Sequence, residues 1–192
     1  MDPAPRAMNR RSFLLGSLGM PLVRAHAAAP PVANHGRVQP PLPVPDVAVF
    51  THAGRATRLG DVARGKPTAL HLMFTQCAST CPIQAAIFQR VQWSLGNDSP
   101  DAQLLSVSID PRHDSPPALA AWLRQVGASE HWLALQPRVA DLDQLRSAFG
   151  ARSGPADTHS TQVSIIDRQA RVVWRSIELP SPEEIVAVLR QV

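Results

Sequence analysis

Two cysteines, one lysine and no apolar run of transmembrane length: the 192-residue chain is marked first by what it has little of. Two thiols cannot build the multi-bridge framework of a small secreted scaffold. The longest apolar stretch, Phe13 to Val23, is interrupted by Pro21 and ended by Arg24. That is well short of the roughly 18 apolar residues a spanning helix needs. No cysteine follows it, so a lipid-anchored cysteine is not supported. Repeats and low-complexity blocks are absent from the body of the chain. Lys66 is the sole lysine, and setting aside residues 1–27 leaves 15 basic and 14 acidic residues, a net charge of +1 instead of +4. A nearly neutral body lacks the electrostatic footprint of a nucleic-acid-binding protein.

The amino terminus carries the parts of an export signal. Asn9-Arg10-Arg11-Ser12-Phe13-Leu14 is similar to a twin-arginine signal, and Ala25-His26-Ala27 supplies an A-x-A cleavage site. Residues 1–27 are therefore expected to be a twin-arginine-like signal directing export to the bacterial periplasm. Residues 28–45 include "PPLPVP", show no periodicity and read as an extended tether. The folded body is expected over residues 46–192. Export would place both thiols in an oxidising compartment.

Hydrophobic patterning then predicts one α/β domain. "VAVFTHAGRATRL" reads as a hairpin turning at His52-Ala53-Gly54-Arg55. "TALHLMFT" (68–75) suits a strand buried on both faces. From Pro82, apolar residues at 83, 86, 87, 91 and 95 recur at helical spacing. Strands are expected at "AQLLSVSID", "HWLALQP", "TQVSIID" and "RVVWRSI". Helices are expected after Ser115-Pro116-Pro117, after Asp141 with Gln144 as a capping box, and after Ser181 with Glu184. Trp93, Trp122, Trp132 and Trp174 fall at element spacing and are read as core, as is Met73.

Both cysteines stand in "FTQCASTCP", at the corner between a buried strand and a helix, where ligand sites collect in α/β sheets. Cys77 and Cys81 are one helical turn apart, within disulfide reach. Closing so small a ring restrains the unfolded chain little, so a purely bracing disulfide gains little. Exchange chemistry or metal binding remain. The spacing is C-x-x-x-C, one residue wider than the redox C-x-x-C. Two thiolates with one further ligand suit copper: thiolate favours Cu(I), and an added imidazole also holds Cu(II). A closed zinc site would ask for a fourth protein ligand.

Seven histidines compete to be the third ligand. His26 lies in the signal, His35 in the tether and His52 at the hairpin tip. His71 sits mid-strand, where a buried neutral imidazole is the reading. His131 is taken to have no sulfur or acidic partner. His159, in the loop before a strand, is preferred, with His113 in "IDPRHD" second.

"FTQCASTCP", "VSIDPRHDSP" and "DTHSTQVSIID", in that order, resemble the motifs of the Sco/SenC family of copper-binding thioredoxin-fold proteins over residues 44–192. The resemblance implies a thioredoxin-like single domain with an N-terminal hairpin and a mixed central sheet flanked by helices. It implies Cys77, Cys81 and His159 as copper ligands and Asp110 as a neighbour supporting the site. It also implies delivery of copper to a client, a cytochrome c oxidase subunit, or reduction of that client's cysteines while its dinuclear copper centre is assembled. The alternative is a metal-free thiol–disulfide oxidoreductase working through Cys77 and Cys81.

Overall fold

The computed structural model describes Met1 and residues 36–96, 101–149 and 161–192. The expected export signal and the first part of the expected tether lie outside the described residues. The remainder forms an eight-stranded mixed sheet: β1 (Gly36–Pro43), β2 (Ala48–Thr51), β3 (Ala56–Arg58), β4 (Thr68–Met73), β5 (Gln103–Ser108), β6 (Trp132–Pro137), β7 (Val163–Ile166) and β8 (Arg171–Arg175). The helices are α1 (Leu59–Ala63), α2 (Thr80–Leu95), α3 (Pro116–Gln125), α4 (Leu142–Phe149) and α5 (Pro182–Leu189). Strand order is β1-β8-β7-β4-β5-β6-β2-β3, with β4, β5 and β6 mutually parallel and every other neighbour antiparallel. The fold is thus the α/β domain that the patterning predicts, with the mixed central sheet, flanking helices and N-terminal hairpin that the resemblance implies.

Side chains of β4 alternate between two cores, as a strand period of two requires. Ala69 and Met73 join the residues buried under α2, α3 and α5, whereas Leu70 and Leu72 join those under α1 and α4. All six residues of β4 and all six of β5 are buried. Polar strand residues survive there only with partners. His71 Nε2 lies 2.6 Å from Ser106 Oγ, and the Trp132 indole N–H donates to the same oxygen at 2.8 Å. The His71 ring also stacks at 4.3 Å on Phe88, so the buried imidazole reading holds.

Local capping works as expected at two helices. Ser115 accepts from the Ala118 amide and Ser181 from the Glu184 amide, each with proline following in the first turn. The third expected cap differs: a 3₁₀ turn, Val139–Asp141, precedes α4, and the Asp141 carboxylate is taken by the Arg138 guanidinium.

Part of the expected tether is sheet. Gly36–Pro43 pairs with β8 on either side of a bulge between Arg37 and Leu42. Its prolines deny it a full ladder, which confines it to the edge, where proline is tolerated. Proline-rich composition without periodicity does not separate a free extended segment from an edge strand; only the partner strand does.

The α2 face also differs. Cys81, Gln84, Ala85, Phe88, Val91 and Leu95 point inward, while Ile83 and Trp93 stand 53% and 79% exposed. Trp122, Trp132 and Trp174 are core as expected, and Trp93 is not. Trp132→Ala should therefore cost about 3–5 kcal/mol, whereas Trp93→Ala should stay within about 0.5 kcal/mol. Urea denaturation of the reduced variants checks both, and a large loss for Trp93→Ala would contradict the assignment of the face.

Candidate metal centre

The β4 strand ends at Met73, and the chain turns at once: the Cys77 amide donates to the Phe74 carbonyl at 3.2 Å, closing a β-turn over Phe74–Cys77. Three residues later α2 begins. A helix start leaves amide N–H groups without intrahelical partners. The N-cap residue, Ser79, makes no side-chain cap bond, and no acidic residue stands in the first turn. The sulfur of Cys77 takes the role instead, accepting the Cys81 amide at 3.3 Å, with Ser79 Oγ 3.9 Å away.

This arrangement separates two chemically identical thiols. Both are buried, and neither is in a disulfide. Burial pushes Cys77 upward, but hydrogen bonds from the Cys81 thiol, the Cys81 amide and Ser79 outweigh it, and the net shift is downward. Cys81 is pushed up to about 12, first by burial and then by its hydrogen bond with Cys77, against a lowering by the Phe74 backbone; the charges of Cys77 and Asp114 raise it by less. Cys77 is the sulfur that ionises first, and Cys81 is its buried neighbour.

The opposite wall comes from the end of β5. Ile109 donates to the Met73 carbonyl at 2.8 Å, so the "DPRHDSP" loop leaves the sheet beside the cysteine turn. Of its two aspartates, Asp110 faces outward, its carboxylate 2.8 Å from His113 Nδ1 in an exposed pair. Asp114 faces inward and is 1% exposed. It accepts from the Thr75 amide at 3.1 Å, the Thr75 hydroxyl at 2.5 Å and the Ser108 hydroxyl at 2.6 Å. The sequence motif contains both aspartates, and nothing in it distinguishes the one that reaches the cysteine turn. Asp110 touches that network only through its backbone: its amide donates to Ser108 Oγ at 3.0 Å and its carbonyl accepts the Asp114 amide at 2.9 Å.

Among the described residues no group of three His, Cys, Asp or Glu side chains is placed to hold a metal ion. His159, the expected third ligand, lies outside the described residues. Its strand is placed, however. Val163, four residues later, pairs with His71 of antiparallel β4, so β7 starts at the sheet edge where β4 ends in the cysteine turn. The other histidines among the described residues have partners of their own: His52 Nδ1 accepts from the Ala134 amide at 3.4 Å, and burial lowers its pKa. His131 does have an acidic partner, the adjacent Glu130 at 3.6 Å. Met73 is fully buried in the core.

The sequence model of the SCO1/SenC family matches residues 47–192. The chain belongs to the SCO1/SenC family. Solved structures share the Sco fold at low identity. ScoI of Bradyrhizobium japonicum with copper bound is 22% identical with a TM-score of 0.65, covering 78% of this chain and 98% of that one. Yeast Sco1 with copper bound is 16% identical, with a TM-score of 0.66 and coverage of 79% and 88%. BsSco, a member of the Sco family of cytochrome c oxidase assembly proteins in which a disulfide switch has been identified, is 17% identical, with a TM-score of 0.68 and coverage of 82% and 96%. No curated protein matches the chain. Among the described residues, no helix is long and apolar enough to cross a membrane.

Two soft sulfurs, one of them biased toward thiolate by helix-terminal amides, fit a thiophilic cation. They equally fit attack on a disulfide.

Proposed function

We propose that this chain is an exported SCO1/SenC protein that holds a single copper ion between Cys77, Cys81 and His159 and yields it to a client, a cytochrome c oxidase subunit. The observation that carries this reading is the Cys77 sulfur seated on the Cys81 amide at the start of α2, with the second sulfur one helical turn on. A helix N-terminus stabilises negative charge, so it favours the thiolate that metal binding needs. His159 completes the set from a loop that feeds β7. His159 stands four residues before Val163, which pairs with His71 near the end of β4 that leads into the cysteine turn, and that adjacency supports the choice. Copper is cargo in this scheme. Three protein ligands suffice to hold it and leave a client's ligands a side from which to displace them. The copper-bound Bradyrhizobium and yeast relatives, and the assembly role named for BsSco, agree with this cargo and client.

Anaerobic titration of the reduced chain with Cu(I) and with Cu(II) tests the proposal. One equivalent should bind in each state, and Cu(II) should develop intense thiolate-to-copper charge-transfer absorption. Weak binding without that absorption would remove the copper reading.

The thiol asymmetry supports a second reading. The Cys77 thiolate attacks a client disulfide, forming a mixed disulfide and releasing one client thiolate; Cys81 then attacks the Cys77 sulfur, releasing the second. The Cys77–Cys81 disulfide is left oxidised and the client reduced. The deprotonation Cys81 requires is opposed by its burial, so resolution would be the slow step.

A further inference from the structure

The carboxylate of Asp114 has no role in either scheme, yet it is the most enclosed acidic group beside the site. We propose that Asp114 is a positioning residue: it fixes the Phe74–Cys77 turn from the far side of the β5 loop and so sets where the Cys77 sulfur sits. This deepens the copper reading and rests on it only for the metal arm of the test.

The geometry is specific. Thr75 is the first central residue of the β-turn that Cys77 closes, and Asp114 accepts both its amide and its hydroxyl. The second carboxylate oxygen accepts from Ser108 at 2.6 Å and lies 3.3 Å from the same Thr75 amide. The Asp114 amide is itself held by the Asp110 carbonyl at 2.9 Å, and Ser115 caps α3 immediately afterwards. The carboxylate is thus immobilised by β5 on one side and by the start of α3 on the other. No cationic side chain among the described residues pairs with it within ion-pair distance; hydrogen-bond donors alone satisfy it. A buried acceptor satisfied this way transmits its position rigidly, because each donor lost leaves a lone pair of a desolvated oxygen unpaired. Rotation of the Thr75 peptide would move the Cys77 amide off the Phe74 carbonyl and swing its sulfur away from the Cys81 amide.

The test compares the reduced full chain with Asp114→Asn, Thr75→Val, the double variant, and Ser115→Ala as a neighbour that caps α3 without touching Thr75. Two readouts are taken: the rate at which iodoacetamide alkylates Cys77 in metal-free protein, and the affinity and charge-transfer wavelength with Cu(II) alone. Asp114→Asn should weaken Cu(II) binding by about 10–100-fold, shift the absorption, and change the metal-free alkylation rate by at least about threefold. Thr75→Val should do the same to a smaller degree, and the double variant should fall short of the sum because both act through one contact. Ser115→Ala should lower stability and leave both readouts in place. If Asp114→Asn or Thr75→Val matches Ser115→Ala in both readouts, the positioning role is wrong. Should Asp114→Asn fail to fold by circular dichroism, Thr75→Val and its alkylation rate decide alone. A wild-type chain that binds no copper would end the copper reading and leave the alkylation comparison to judge Asp114.

Discussion

Replacing His159 by alanine should weaken Cu(II) binding by more than about 100-fold and abolish the charge-transfer absorption of a three-ligand site, since even residues that only support a ligand are worth about 10–100-fold. Cu(I) binding should fall less, because two thiolates satisfy the softer ion. Disulfide exchange with a small-molecule disulfide should survive nearly unchanged, because both sulfurs and the α2 amide that holds Cys77 remain. The two readings of the site therefore separate in one variant. Equal Cu(II) affinity in wild type and His159→Ala would remove His159 from the ligand set, while loss of exchange together with loss of copper would argue that the imidazole serves the thiols directly.

Acid should destabilise the fold through one buried imidazole. His71 is wholly buried, and desolvation, partly offset by the Gln84 side chain, lowers its pKa from 6.5 to about 4. Protonation is thus disfavoured in the folded state alone. Below pH 6.5 the unfolded chain binds a proton that the folded chain refuses, so unfolding is favoured as pH falls, until the folded imidazole also titrates near 4. The loss should reach about 2 kcal/mol by pH 5 and about 3 kcal/mol by pH 4. Urea midpoints from pH 7 to 5 should fall steeply for wild type and much less for His71→Gln, which keeps a polar group near Ser106 without the titration. Parallel slopes would show that some other group carries the acid sensitivity.

Much of the architecture was legible because it is local. Ser115 and Ser181 announce their helices through a bond three residues away, and the apolar run of β4, Ala69, Leu70, Leu72 and Met73, needs no partner to be recognised as buried on both faces. The thiol pair, its C-x-x-x-C spacing and its place at a strand-to-helix corner are also matters of adjacency along the chain. The exposed side of α2 was not legible. Ile83 and Trp93 obey helical periodicity as well as Phe88 does, and which stripe faces the sheet depends on where the Cys81 end is anchored.

Sequence alone determined the order of elements from β2 onward apart from the short α1, the two-sulfur motif and the family resemblance, all of which reside in short spacings. Tertiary structure decided which of two aspartates four residues apart turns inward, which thiol ionises first, and that a proline-rich stretch is an edge strand. Each of those outcomes depends on a partner remote in the chain or on enclosure: Asp114 reaches Thr75 across 39 positions, Cys81 is raised chiefly by burial, and Gly36–Pro43 is a strand only because β8 lies beside it. Desolvation and long-range hydrogen bonds exist only once the chain has closed on itself, so no local pattern carries them.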